Sequence, residues 1–261
     1  MDIQWSLVLF TALTGTAGWL FFFTGLNVFT RRSTSTGFMP GAVALALAIA
    51  GGLASVTHLA HPERMMGALA HPTSGIFTEA VLTGLFALCI VVFLVGLKRN
   101  QNAAVRVGAV GGMVFGVLLS FMAGYSYIMA ARAAWFTILL PCGYLATAVP
   151  AGAALYGALL PADDEGGARF STRTVIAGGA VAAIGVAAYA AASGSFVGAG
   201  APYAVLALCL AGVVPVAVGV ASMRAPVRAL AWVAFAAALV GAVLYRVMMW
   251  IVGTGFYNFF D

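Results

Sequence analysis

Residues 57–97 read THLAHPERMMGALAHPTSGIFTEAVLTGLFALCIVVFLVGL. From Gly75 to Leu97 this stretch holds one charge, the carboxylate of Glu79, in an otherwise apolar run. A helix rising about 1.5 Å per residue crosses a hydrocarbon core of about 30 Å in roughly 20 residues, so the run spans a bilayer. The 57–74 half joins it to another apolar run and gathers all three histidines of the chain, His58, His61 and His71. Working outward, the same long, continuous apolar runs recur from end to end. The chain has 261 residues, of which 63% are hydrophobic and 7% charged, with a mean hydropathy of +1.07. Soluble domains carry about 25% charged residues, so this is an integral membrane protein. Short alternating strands would point to a barrel; runs of this length point to helices.

Eight spans are expected, near 5–29, 40–60, 75–97, 104–128, 134–160, 172–193, 201–222 and 227–251. The fold class is therefore all-α, a polytopic membrane helix bundle treated as one membrane domain. The first run starts beside Asp2 without a basic leader or a small-x-small site, so it reads as a retained helix. Short connections make neighbouring spans antiparallel. The basic residues sort accordingly. Arg31, Arg32, Lys98, Arg99, Arg106, Arg169, Arg173, Arg224 and Arg228 fall on odd-numbered connections, against Arg64 and Arg132 on even ones. The positive-inside rule puts the odd connections in the cytoplasm, with both termini and the histidine loop outside. This pattern also explains the net charge of +5 better than nucleic-acid binding does. The most polar connection, PADDEGGARFSTR at 161–173, reads as a solvated cytoplasmic loop. Cys89, Cys142 and Cys209 show no ligand spacing and read as small buried hydrophobes, too few for an iron–sulfur cluster. Trp5, Trp135, Trp250 and Tyr257 read as interfacial belt residues, and Tyr125 and Tyr127, near the outer end of span 4, are within reach of a ligand pocket there.

The chemistry concentrates at one membrane face. His58 and His61 are three residues apart and would share a helix face, although Pro62 disfavours helical geometry at His61. Glu79 sits about one turn into span 3 on the same side, so His58 and Glu79 are expected to approach across one pocket. An intramembrane carboxylate is costly and points to function. Two proton-active side chains at the end of a bundle suit a membrane-soluble substrate that carries protons, and a quinol is the leading candidate. Arg64 is placed to orient a carbonyl or to compensate Glu79. Arg246, late in span 8, is the other intramembrane charge and is expected to line the same pocket or contact a partner; the alternatives are snorkelling or a bond to a backbone carbonyl. For Glu79 the plainer alternatives are a pair with Arg64 or a cap on span 3. Bis-histidine haem needs imidazoles on opposing helices at similar depth. Here every histidine lies near one face, so neither haem nor metal is expected in this chain.

The motif His58-Leu59-Ala60-His61-Pro62-Glu63-Arg64, followed by Glu79, resembles the membrane-anchor subunit of dimethyl sulfoxide reductase-type molybdoenzymes. The eight spans, and Arg246 followed by Phe256 and Tyr257, fit the same family. The resemblance implies a haem-free anchor in a bacterial cytoplasmic membrane that oxidises menaquinol in anaerobic respiration. It implies two partners, an iron–sulfur electron-transfer subunit and a molybdopterin catalytic subunit, and no turnover by this chain alone. The family's quinol-site histidine falls on His58 and its acidic residue on Glu79, with His61, Arg64 and Arg246 as further quinol-site residues. His61 and His71 depart from the family pattern. Polysulfide reductase-like quinone-reactive anchors are similar and come second. With no haem to carry electrons across the bilayer, the soluble partners should dock on the face of the His58 loop. A transporter is the rival from another class, but such proteins carry polar groups near the midplane and inverted repeats, which this sequence lacks. A purely structural tether is the third possibility.

Overall fold

The computed structural model describes residues 3–57, 74–224 and 228–253. Among these all regular structure is helical, and eight helical segments are long and apolar enough to cross a membrane. The first six spans are α1 (Trp5–Thr30), α2 (Phe38–Val56), α3 (Gly75–Lys98), α4 (Asn102–Tyr125), α5 (Leu139–Ala158) and α6 (Glu165–Ala192). The seventh, Gly198–Arg224, is composite: α7 (Ala201–Ala207), a π-helical stretch over Leu208–Val213, and α8 (Val214–Arg224). Pro215 lacks an N–H, and its ring would press on the carbonyl four residues back. The wide turn just before it relieves that conflict. The eighth span is α9 (Arg228–Val252).

Three of these helices, α1, α3 and α5, are apolar on every side, so no single stripe selects their partners. Between helices in a bilayer, close backbone approach does that work. A Cβ on Gly18 of α1 would stand 2.5 Å from the Gly116 carbonyl oxygen of α4, and one on Gly152 of α5 would stand 2.6 Å from the Leu20 nitrogen of α1. These two glycines bring α4 and α5 against α1. As a result α1 and α5 are buried along most of their length, and α2 and α3 lie at the periphery against α1 and α4. α6 and α9 pack on the other side of α5, with the seventh span between them. An aromatic core of Phe21, Phe86 and Phe93 fills the α1–α3–α4 junction, with ring centroids 5.2 to 6.0 Å apart.

Several expected boundaries move. Span 2 was expected over 40–60, and its helix runs Phe38–Val56. Span 4 ends at Tyr125, short of 128, and α5 starts at Leu139 instead of 134. The connection between them folds back over α9, with the Trp135 indole donating to the Met249 carbonyl at 2.8 Å and Tyr189 donating to Ala134 at 3.0 Å. The largest correction concerns span 6, expected over 172–193. Its helix begins at Glu165 because Asp164 caps it, accepting from the Gly167 amide at 2.9 Å. The 161–173 segment is therefore not a plain solvated loop. Asp164 is 2% exposed and also accepts from Ser33 Oγ and, at 3.1 Å, from the Thr34 amide, tying the first connection to the fifth. Hydrogen bonds from these groups outweigh the upward push of burial and hold the Asp164 carboxyl below its ordinary value.

Trp135 and Trp250 are a second correction. Both are buried and stack edge to face at 5.3 Å within a cluster that includes Tyr127, whereas Trp5 is exposed as expected of a belt residue. Tyr257 lies outside the described residues. The three cysteines are free thiols and are partly exposed, not fully buried.

Candidate functional site

Glu79 stands four residues into α3, Tyr144 five residues into α5, Thr11 six residues into α1 and Arg246 six residues before the end of α9. Because neighbouring spans alternate in direction, all four positions fall at the end of the bundle that carries the 57–74 connection. At 1.5 Å per residue they lie about 6 to 9 Å in from their helix ends, which makes one polar layer.

Arg246 anchors it. The side chain is 1% exposed, and three of its N–H groups are used. Nε donates to Thr11 Oγ1 at 2.7 Å, one terminal nitrogen to the Thr11 carbonyl at 3.0 Å, and the other to the Ala242 carbonyl at 2.8 Å. Its guanidinium carbon sits 4.4 Å from the centre of the Tyr144 ring, a cation–π contact. Snorkelling is thereby excluded. The bonds to backbone carbonyls foreseen as an alternative are present, and they hold the cation inside the bundle.

Glu79 is partly buried, beside the Ser126 hydroxyl at the end of α4. It does not cap α3: Ser74 does, accepting from the Phe77 amide at 3.1 Å. No ion pair joins Glu79 to Arg246. Tyr127, just past the end of α4, has its ring 6.1 Å from Tyr144 and 5.8 Å from Trp250. Its phenol is pushed above its ordinary value, first by burial, then by Tyr144 and the Glu79 carboxylate, with Arg246 acting in the opposite direction. Both intramembrane charges thus act on one tyrosine, although they are distant in sequence.

Of the residues expected at the site, Glu79 and Arg246 fall in this layer. His58, His61, Arg64 and His71 lie outside the described residues. Thr11, Ser126 and Tyr144 carry no mark in the sequence, whereas Tyr127 was expected, with Tyr125, within reach of a ligand pocket. A depth count would have found Thr11 and Tyr144, since once span directions are assigned both fall level with Arg246. The layer offers a carboxyl that can take or give a proton, phenols that can donate hydrogen bonds, and a fixed cation that can hold a developing negative charge.

A multi-pass helical membrane protein with a titratable layer near one end of its bundle is the class that fold and site define. Within it, the model of the DMSO reductase anchor subunit (DmsC) family matches residues 1–251, and the chain belongs to that family. It is therefore a membrane anchor of a DMSO reductase-type complex, associated with a catalytic molybdoenzyme. No curated protein matches the sequence closely enough to count as a relative.

Proposed function

We propose that this anchor oxidises menaquinol in the polar layer and passes the two electrons to an iron–sulfur partner subunit, which feeds a molybdopterin catalytic subunit in anaerobic respiration. The observation that carries the reading is that Glu79 and Arg246, whose guanidinium lies 4.4 Å from the Tyr144 ring, stand at one depth at the same end of the bundle. In this reading His58 accepts a hydrogen bond from one quinol hydroxyl and takes its proton. Glu79 receives the second proton and releases it to water at the nearby helix ends, and His61 and Arg64 are further quinol-site residues in this reading. Arg246, fixed by Thr11 and Ala242, sets the Tyr144 ring and stabilises negative charge on the quinol oxygens as protons leave. The quinol is oxidised to the quinone, both protons go to the side of the 57–74 loop, and both electrons go to the partner's cluster. In this reading the anchor holds no haem or metal of its own, so the cluster sits close to the layer and the soluble subunits dock on that face. On the charge pattern, that face is the outer side of a bacterial cytoplasmic membrane.

The test is a fluorescence-quench titration of the purified complex with a quinol-site inhibitor, comparing wild type with His58→Ala and Glu79→Gln. Saturable binding lost in either variant, with the complex still assembled, supports the reading. Unchanged binding in both variants refutes it. Absence of binding in the wild type favours a plain tether.

A further inference from the structure

At the opposite end of the bundle, where the basic residues gather, the helices part to form a cleft that the quinol site does not use. Between the first turns of α6 and the end of α8 lies a cavity of about 390 Å³, walled by Arg169, Arg173, Thr172 and Ser222. A narrower cavity of about 80 Å³ adjoins it, with Thr172 and Ser222 bordering both. The narrower one passes Arg228 and then runs inward along Val175, Val218 and Ala231. The mouth is cationic. Glu165 also borders it, but pairs with Arg169 at 3.3 Å, which leaves Arg173 as the unpaired cation of the wider cavity and Arg228 as the cation of the narrower one. Arg228 is held rigid by bonds to the Ala158 and Leu160 carbonyls, both 2.8 Å, and its remaining N–H groups make no hydrogen bond among the described residues.

Cationic at the water-facing end and apolar toward the membrane interior, the cleft is complementary to an amphiphile. We propose that it binds an anionic phospholipid. The phosphodiester lies between Arg173 and Arg228, and the first carbons of one acyl chain run along Val175, Val218 and Ala231. Basic pockets between membrane helices take anionic headgroups for this electrostatic reason. An uncharged surface groove would accept any lipid, whereas this one should choose by headgroup charge. The inference does not depend on the quinol reading.

Native mass spectrometry of the full-length protein in mild detergent tests it, with phosphatidylglycerol and phosphatidylcholine of identical acyl chains as probes. Wild type is expected to retain phosphatidylglycerol preferentially. Arg169→Ala/Arg173→Ala, altered only at the exposed mouth, should lose about five- to thirtyfold of that retention, the scale of about 1 to 2 kcal/mol for one or two arginines near an anionic headgroup. Ala231→Leu, which fills the apolar depth, should weaken lipid retention while the mouth stays intact. Equal retention of the two lipids by wild type, or an unchanged preference in the double arginine variant, overturns the proposal. So does displacement of the lipid by millimolar inorganic phosphate with no effect of Ala231→Leu, which would make the cleft a free-anion site.

Discussion

Thr11→Val tests whether the polar layer is built by Arg246 or merely contains it. Valine nearly reproduces the shape of threonine but removes the Oγ1 that accepts from Arg246 Nε at 2.7 Å. Oγ1 also donates to the Leu7 carbonyl at 2.9 Å within its own helix, a bond that the backbone ladder already makes nearly redundant. The cost should therefore come from one charged N–H left unpaired in a fully buried place. Hydrogen bonds to charged groups contribute roughly 1.5–3 kcal/mol in soluble proteins, and interhelical bonds in a bilayer average about 0.6 with a maximum of about 1.7. A loss of about 1 to 2 kcal/mol is expected. The assay is reversible unfolding in mixed micelles, followed by far-ultraviolet circular dichroism and run as a double-mutant cycle with Arg246→Leu. In the Arg246→Leu background Thr11→Val should cost clearly less, because no cation remains to be orphaned and only the bond to Tyr144 is lost. Equal costs in the two backgrounds would refute the reasoning, since Thr11 would then matter through packing alone. Inhibitor binding by the single variant should weaken as well, because the guanidinium loses the partner that fixes it over Tyr144.

Acid should loosen the tie between the first and fifth connections. Asp164 is held below its ordinary value near 3.8, so its contribution is fully present above that value and is lost as the pH falls through the lower folded-state value; Asp164→Asn should flatten the acid limb of an unfolding titration. Gly18→Ala puts a methyl 2.5 Å from the Gly116 carbonyl, a backbone contact that can yield only if α1 and α4 separate. Overpacking of this kind costs roughly 1–3 kcal/mol, read as a lower unfolding midpoint, and an unchanged midpoint would mean the helices adjust freely. Orientation can be read by thiol labelling with the three native cysteines replaced by alanine. Asp163→Cys should react only from the cytoplasmic side and Val197→Cys, 74% exposed, only from the opposite side; the reverse pattern would also move the docking face of the soluble partners.

Some of this was legible in the residues. Gly75–Leu97 announces a span by its hydropathy alone, and α3 follows it closely. Glu79 and Arg246 stand out because charge is rare in apolar runs, and both fall in the polar layer. Charged helix ends were not legible. The residues Glu165 to Arg173 are polar because they project beyond the apolar part of α6, and a reading that equates polar with loop truncates the helix. Trp135 and Trp250 fit the composition of an interfacial belt, yet the 126–138 connection folds inward and buries both. Thr11 and Tyr144 carry no local mark at all, since a threonine or tyrosine within a span is common and most satisfy themselves on their own backbone.

The sequence by itself determined that the chain crosses the membrane, how many times, and by its arginines which connections share a side. Those properties are sums over local composition and need no knowledge of neighbours. Only the tertiary structure decided that Arg246 meets Thr11 and Tyr144, that Glu79 meets Ser126, and that Arg173 and Arg228 border adjoining cavities. The physical reason is that lipid is as apolar as the helices themselves, so hydrophobicity does not choose which face turns inward. The rotation of each helix is chosen by glycine contacts such as Gly18 on Gly116 and by buried hydrogen bonds, and those exist only between segments far apart in the chain.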